Sequence, residues 1–292
     1  MKKKELKGQI ILGLIFVIVC VLIIIPFWLV VSVSLSNEKD IIDTGYRMFP
    51  LHFDTAAYKY LFKNPASILN AYKVTAIFSA AATFLSVLLM SMLAYTLSKP
   101  GIKGKNVIAF FVYFTMLFNG GLVATYILIT QYLHLGNTIW VYIIPGLISP
   151  WYVFMIRTFF NGLPYEISES AMIDGASEYR IFFGIILPLS KPVIATVALF
   201  ILLGKWNDWM TAMLYIDDEE LISLQYLLQR IMNNIKILQE SDQAQNLINT
   251  AEIPSETIRM AMAVVVAGPA LIVFPFFQKY FVKGLTVGSV KG

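Results

Sequence analysis

Glu169, Asp174 and Gly175, set among small residues in one short segment, are the residues of this 292-residue chain best placed to do chemistry. That chemistry is contact rather than catalysis. Carboxylates at Glu166, Glu169 and Asp174 beside Ser170, Ala171 and Ala176 make a charged surface with little bulk, which suits close docking of a partner. Covalent and metal chemistry lack ligands: the chain has two His and one cysteine, Cys20, so no metal-ligand cluster or disulfide framework is expected. No Gly-x4-Gly-Lys-Ser/Thr loop occurs, and no cofactor is expected in this chain.

The segment also carries its own folding instructions. Asn161-Gly162-Leu163-Pro164 reads as a break, with Pro164 suited to a helix start. Glu166 and Glu169 fall in the first turns, where they favour the helix dipole. Ile167, Ala171 and Asp174 share one face at spacings of three and four. Gly175 supplies the left-handed residue that ends the helix. Ser177 caps a second short helix carrying Glu178 and Arg180, and Pro188 sets the entry to the next apolar run. The expectation is a short helix, a sharp turn and a second helix.

The elements that hold this segment are written in hydrocarbon. Hydrophobic residues make up 58% of the chain and charged residues 14%, with a mean hydropathy of +0.72. That composition excludes an ordinary soluble domain and predicts an all-α, polytopic membrane bundle as a single domain over 1–292. Residues 10–35 carry no charge, more than the roughly 20 residues that cross a bilayer. The basic start Lys2-Lys3-Lys4 resembles that of a signal peptide, but the run is too long and no small-x-small site follows, so a retained first helix is predicted. Further spans are expected at 74–97, 107–129, 138–160, 185–203 and 257–281, six in all. The fifth is interrupted by Lys191-Pro192.

Six spans place both termini on one side. With the termini inside, Lys2, Lys3, Lys4, Lys7, Lys99, Lys103, Lys105, Arg157, Arg180 and Lys191 fall on inner segments, and most acids fall outside. The positive-inside rule then makes both termini and the loop 161–184 cytoplasmic. Two outer loops remain. Residues 37–73 include Tyr46, Phe49-Pro50-Leu51 and Tyr58-Lys59-Tyr60. Residues 206–256 are acidic, with Leu224, Leu227, Leu228 and Ile231 at helical spacing and a polar return near 246–254. The charge balance of +4 follows the membrane and gives no reason to expect nucleic acid.

Polar groups inside spans are costly and face the bundle interior. Candidates for a substrate path are Asn119, Tyr126, Gln131, Trp151, Tyr152, Trp206 and Asn207, with Thr115, Thr130 and Tyr142 nearby. Aromatic rings beside amides suit a sugar, which has apolar CH faces and many hydroxyls. Trp140, Tyr142 and Trp209 read as interface-belt residues. Gly120-Gly121 reads either as a helix-packing site or as a break that exposes backbone. Asp208 is the acid nearest a span boundary and is not read as a proton relay.

Glu169-x-Ala171-x-x-x-Gly175, nine residues, then Ile185-x-Leu187-Pro188 resembles the EAA loop of ATP-binding-cassette (ABC) importer permeases, with Ser170 in place of the usual first Ala. Asp174-Gly175-Ala176-Ser177, with Phe182 and Pro192, is similar to the carbohydrate-uptake branch. Phe118-Asn119-Gly120-Gly121, Trp206-Asn207-Asp208-Trp209 and Gln278-Lys279-Tyr280-Phe281-Val282-Lys283-Gly284 resemble oligo- and polysaccharide permeases related to the smaller maltose permease. Ala124 departs from the Pro common there, which would relax the third span. The resemblance implies a type I importer permease of the bacterial plasma membrane, working as a heterodimer with a second homologous permease. It also implies two ATP-binding subunits that hold ATP and Mg, an extracellular solute-binding protein and an oligosaccharide substrate. Glu169, Ala171, Asp174 and Gly175 would form the contact with the ATPase. The tail 284–292 is small and polar, as a frayed end would be; the resemblance implies that it reaches between the ATPase subunits. A peptide importer, an ion-coupled secondary transporter and a membrane enzyme acting on lipid-linked sugars are the rival readings. The last two lack the buried acids, inverted repeats or interfacial His and carboxylates they would need.

Overall fold

The computed structural model describes residues 2–240 and 255–287, with side chains over 8–237 and 255–278. The return near 246–254 and the end of the tail, 288–292, lie outside the described residues. What is described is all-α. Three helices are long and apolar enough to cross a membrane: α1 (Lys2–Ser34, apolar over Gly8–Ser34), α4 (Pro65–Ser98) and the last helix (Ser255–Val287, apolar over Ser255–Gln278). Each follows from an uncharged run that satisfies its own backbone hydrogen bonds, the condition for crossing hydrocarbon. Between α1 and α4 lie two short helices, α2 (Glu38–Thr44) and α3 (Ala56–Leu61).

In the middle of the chain the expected runs are broken rather than continuous helices. The run 107–129 is a bent pair, α5 (Lys105–Leu117) and α6 (Gly121–Ile127), the latter continued by a π turn at Leu128–Tyr132, with a 113° bend. The run 138–160 is not one helix. A four-residue α7 (Trp140–Ile143) stops before Pro145 and Gly146, and α8 (Pro150–Asn161) restarts with its proline in the first turn. Gly146 has φ +81°, a left-handed residue that no continuing helix accepts. The segment 161–184 begins with α9 (Tyr165–Ile173) and α10 (Glu178–Ile181). The fifth run breaks at Ser190: a π turn (Phe182–Ile186) and α11 (Leu187–Leu189) precede α12 (Lys191–Trp206), with an 81° bend. Pro192 at the start of α12 explains the break, since it has no N–H to donate backwards. Then come α13 (Met210–Tyr215), α14 (Leu224–Glu240) and α15, the last helix. Helix α14 forms where the leucine spacing predicts it, with Leu224 and Leu228 buried.

The chain divides into two compact units, Met1–Ile68 with Leu228–Pro269, and Leu69–Leu227 with Ala270–Gly292. In the first, an antiparallel bridge Ser36↔Phe53 closes the loop after α1. Buried Glu38 reaches the start of α15. Its carboxylate accepts from the Glu256 and Thr257 N–H groups at 2.8 and 2.9 Å, from the Thr257 hydroxyl at 2.7 Å and from the Ser255 hydroxyl at 3.3 Å. It therefore satisfies donors that a helix start leaves orphaned and places negative charge at the positive end of the dipole.

The second unit has two apolar cores at opposite ends of α4. One gathers Val74, Phe78 and Ala82 with Tyr142, Ile216 and Ile222; the other gathers Met90, Ala94 and Leu97 with Ile156, Phe160, Ile181 and Val197. Tyr142 is a core residue, which corrects the interface-belt expectation. It is fully buried, stacked on Phe78 with ring centroids 4.2 Å apart, and its hydroxyl donates to the Leu221 carbonyl at 2.9 Å. A tyrosine whose hydroxyl finds a buried acceptor has no need of the lipid interface.

Lys205 completes this core. Its ammonium donates to the Tyr142 carbonyl at 2.6 Å and the Pro145 carbonyl at 3.4 Å, supplying partners where the helix break leaves α7 without them. Replacing Lys205 with Met keeps the aliphatic stem and removes the donor. We expect about 1–3 kcal/mol of destabilisation, the cost of an unsatisfied buried carbonyl, seen as a lowered Tm of the purified complex in detergent. A Lys205→Met variant that melts with the parent would show that these bonds contribute nothing.

Candidate docking surface and substrate path

Helix α9 is built as the spacing predicts. Gly175 has φ +78°, its N–H donates to the Met172 carbonyl at 3.0 Å, and the Ala176 N–H donates to the Ala171 carbonyl at 2.9 Å. This nested pair of bonds is the Schellman termination, and it needs the left-handed residue that glycine adopts without strain. Ser177 then caps α10 by accepting from the Arg180 N–H at 3.4 Å. The two helices meet across a turn only four residues long.

The faces of α9 divide cleanly. Ser168 is buried, and Ala171, Met172 and Ala176 pack on the core of Ile156, Phe160 and Ile181. Glu166, Glu169, Ser170, Asp174 and Gly175 are exposed, and Ile173 is 82% exposed. Of the four residues expected to touch a partner, Glu169, Asp174 and Gly175 thus face outward. Ala171 mainly seats the helix, although Ile167 and Asp174 beside it on the same side are open. Sequence reasoning missed Ile173. Its outward position follows from the core on the Ala171 and Met172 side of α9, which spacing alone does not set. Tyr179, 70% exposed on α10, extends the same open surface.

A second feature that sequence reasoning missed anchors the surface. Glu178 accepts from the Tyr95 hydroxyl at 2.9 Å and pairs with the Lys99 ammonium, both at the end of α4. The Lys99 hydrogen bond holds the Glu178 carboxyl below its ordinary range, aided by Tyr95 and opposed by partial burial. Two hollows flank this contact. One of about 390 Å³ is walled by Met92, Thr96, Ile102 and Phe182; the other, about 130 Å³, runs beneath α9 between Lys99, Phe160 and Ser168. The surface ion pair itself is a weak stabiliser. Its geometry matters more, because it ties α10 to a 34-residue helix.

The path candidates are not one cluster. Asn119 shapes the break between α5 and α6: its Oδ1 accepts from the Gly121 N–H at 2.8 Å, and Gly121 has φ +81°. Of the two readings of Gly120-Gly121, the break is the one that forms. Tyr126 stacks on Tyr215 at 5.5 Å, while Gln131 is exposed beyond it. Tyr152 stacks on Phe200 at 6.4 Å and Trp151 beside it is 60% exposed. Trp206 packs near Tyr72 at 6.2 Å. Asn207 donates to the Leu203 carbonyl and accepts from Gln225, so it closes the end of α12. Asp208 accepts from the Thr211 N–H at 3.0 Å and hydroxyl at 2.6 Å, capping α13. Among the described residues no group of three His, Cys, Asp or Glu could hold a metal ion.

Several apolar helices of membrane length, with one short polar helix displayed at the end of an apolar core, define a multi-pass membrane component. The chain belongs to the family of binding-protein-dependent transport system inner membrane components, whose model matches residues 86–287. It is therefore a permease component of a transport system rather than an enzyme. It is 39% identical to the protein LplC of Bacillus subtilis, over 92% of this chain and 90% of that one. It is 37% identical to the polygalacturonan/rhamnogalacturonan transport system permease YtcP of the same organism, over 99% and 100%. A bacterial ABC transporter structure involved in import of the acidic polysaccharide alginate superposes with a TM-score of 0.79 at 26% identity, over 94% and 96% of the two chains.

Proposed function

We propose that this chain is one permease subunit of an ATP-driven importer for oligosaccharides or polysaccharide fragments. The exposed face of α9, closed by Gly175 and seated by Ala171 and Met172, is the observation that carries the reading. A short rigid helix, open on one side and packed on a transmembrane core on the other, can pass a partner's movement into that core. The full chain, 1–292, acts as one transmembrane domain of six spans with both termini in the cytoplasm. Glu169, Asp174 and Gly175 meet an ATPase subunit, with Ile173 as the apolar centre of the contact. Glu178 anchors the second helix of the loop to α4.

The transport cycle follows from a differential contact. ATP held by two partner subunits draws the α9 helices of this chain and a second homologous permease together, and the helices behind them open outward. Only a contact that differs between the two states can shift their balance. An extracellular binding protein delivers the sugar. The relatives' names, with polygalacturonan and alginate among the cargoes, support polymeric sugars, and the paired rings Tyr126–Tyr215 and Tyr152–Phe200 offer flat surfaces suited to them. The test is reconstitution of the copurified complex with its binding protein. Oligogalacturonides should stimulate ATP hydrolysis and enter the vesicles. Stimulation by peptides alone would replace the substrate class, and purification without any ATPase would overturn the assignment.

A further inference from the structure

The loop after α1 does not simply leave the helix end. The Asn37 N–H donates to the His52 carbonyl at 3.1 Å and the Asp54 N–H to the Leu35 carbonyl at 2.9 Å, so the loop returns to the level where it began. Asp40 closes the base by accepting from the His52 N–H at 3.1 Å. Between these points the chain dips back along α1. The Ser32 hydroxyl donates to the Arg47 carbonyl at 2.9 Å, and one turn deeper the Trp28 indole N–H donates to the Met48 carbonyl at 2.9 Å. Phe49 sits edge-on against Trp28 at 6.2 Å. Trp28 lies about 9 Å before the end of α1 at 1.5 Å per residue.

The apolar residues of this dip are open. Phe49 is 72% exposed and Leu51 50%, and neither packs into a core. They continue the surface of α1, whose most apolar window is wholly unburied within the chain. The 27 residues of that apolar stretch measure about 40 Å, against a hydrocarbon core of about 30 Å. Its outer turns therefore reach the headgroup layer, where tryptophan concentrates. The return at residues 52–54 lies level with the end of α1, and the tip at Phe49 lies further down the helix, beside Trp28.

We propose that residues 47–51 form an anchor inserted in the outer lipid interface, with Phe49 and Leu51 at the headgroup–acyl boundary and Arg47 at the level of the phosphates. Backbone inside this layer needs internal partners, and the bonds from Ser32 and Trp28 supply them for the carbonyls of Arg47 and Met48. The anchor fixes the height of α1 in the bilayer and splints the start of the outer loop.

Nitroxide labels test this in the assembled complex in phospholipid vesicles. A Cys20→Ser background carries Phe49→Cys, Leu51→Cys or, as a control on α2, Asp43→Cys. Labels at 49 and 51 should be relaxed more by oxygen, which partitions into lipid, than by a water-soluble nickel chelate, with the order reversed at 43. Stronger relaxation by nickel at 49 and 51 would overturn the anchor by placing the dip in water. Exclusion of both reagents there would overturn it as well, because a protein partner then covers the dip. Adding the binding protein should leave the labels at 49 and 51 unchanged; protection on its addition would assign the surface to that partner instead.

Discussion

Asp174→Lys should abolish sugar-stimulated ATP hydrolysis and uptake by the reconstituted complex while leaving the melting of the permease unchanged. Asp174 is exposed at the end of α9, and its side chain makes no hydrogen bond or ion pair among the described residues. Surface substitutions without such partners move stability by within about 0.5 kcal/mol, so a functional loss would report an external contact. Reversing a charge inside an interface costs about 2–5 kcal/mol, more than tenfold in association. Gly175 provides the matched control. A Cβ built there meets nothing within 4 Å, so the chain itself has room, but φ +78° penalises most side chains by about 1–2 kcal/mol. Asn tolerates that conformation. Gly175→Asn should therefore keep most activity, while Gly175→Trp should block it by bulk against the partner. If Asp174→Lys and Gly175→Trp both transport at the parental rate, α9 is not the docking surface.

The features that read well from sequence are those carried by neighbouring residues or by one additive property. Helices α1, α4 and α15 announce themselves because hydrophobicity sums over 20 residues. Helix α9 does so because its proline start, acidic first turn and glycine end lie within a dozen positions. The breaks were harder. Pro145-Gly146 sits in a run that is apolar on average, so a window average passes over it, and only the backbone demands of those two residues reveal it. Contacts made across the fold were beyond reach. Tyr142 meets Phe78 and Leu221, and Glu178 meets Lys99, through packing that no spacing encodes. The same limit separated Ala171 from Ile173. Both lie on a small amphipathic helix, and only the placement of the core behind it decides which one turns inward.

The second large effect falls on the first unit, where Glu38 was legible only as one more acid in a long loop. Its buried carboxylate receives two backbone N–H groups and two hydroxyls from Ser255, Glu256 and Thr257. Hydrogen bonds to a charged group contribute about 1.5–3 kcal/mol each, and bonds sharing one acceptor do not add fully. The helix dipole adds about 0.3–2 kcal/mol. Glu38→Ala removes every acceptor at once and leaves the Thr257 N–H, itself buried, without a partner, so we expect about 3–5 kcal/mol of destabilisation. Glu38→Gln keeps the shape and one carbonyl oxygen but turns an N–H₂ toward a donor, and should fall between Ala and the parent. Hydrogen exchange separates a local from a general effect. In both variants the amides of residues 255–258 and of α2 should lose protection, while those of α9 and α12 should exchange at the parental rate. If Glu38→Ala melts within about 0.5 kcal/mol of the parent, in the range of an ordinary surface change, water replaces the carboxylate and the cap does not hold α15.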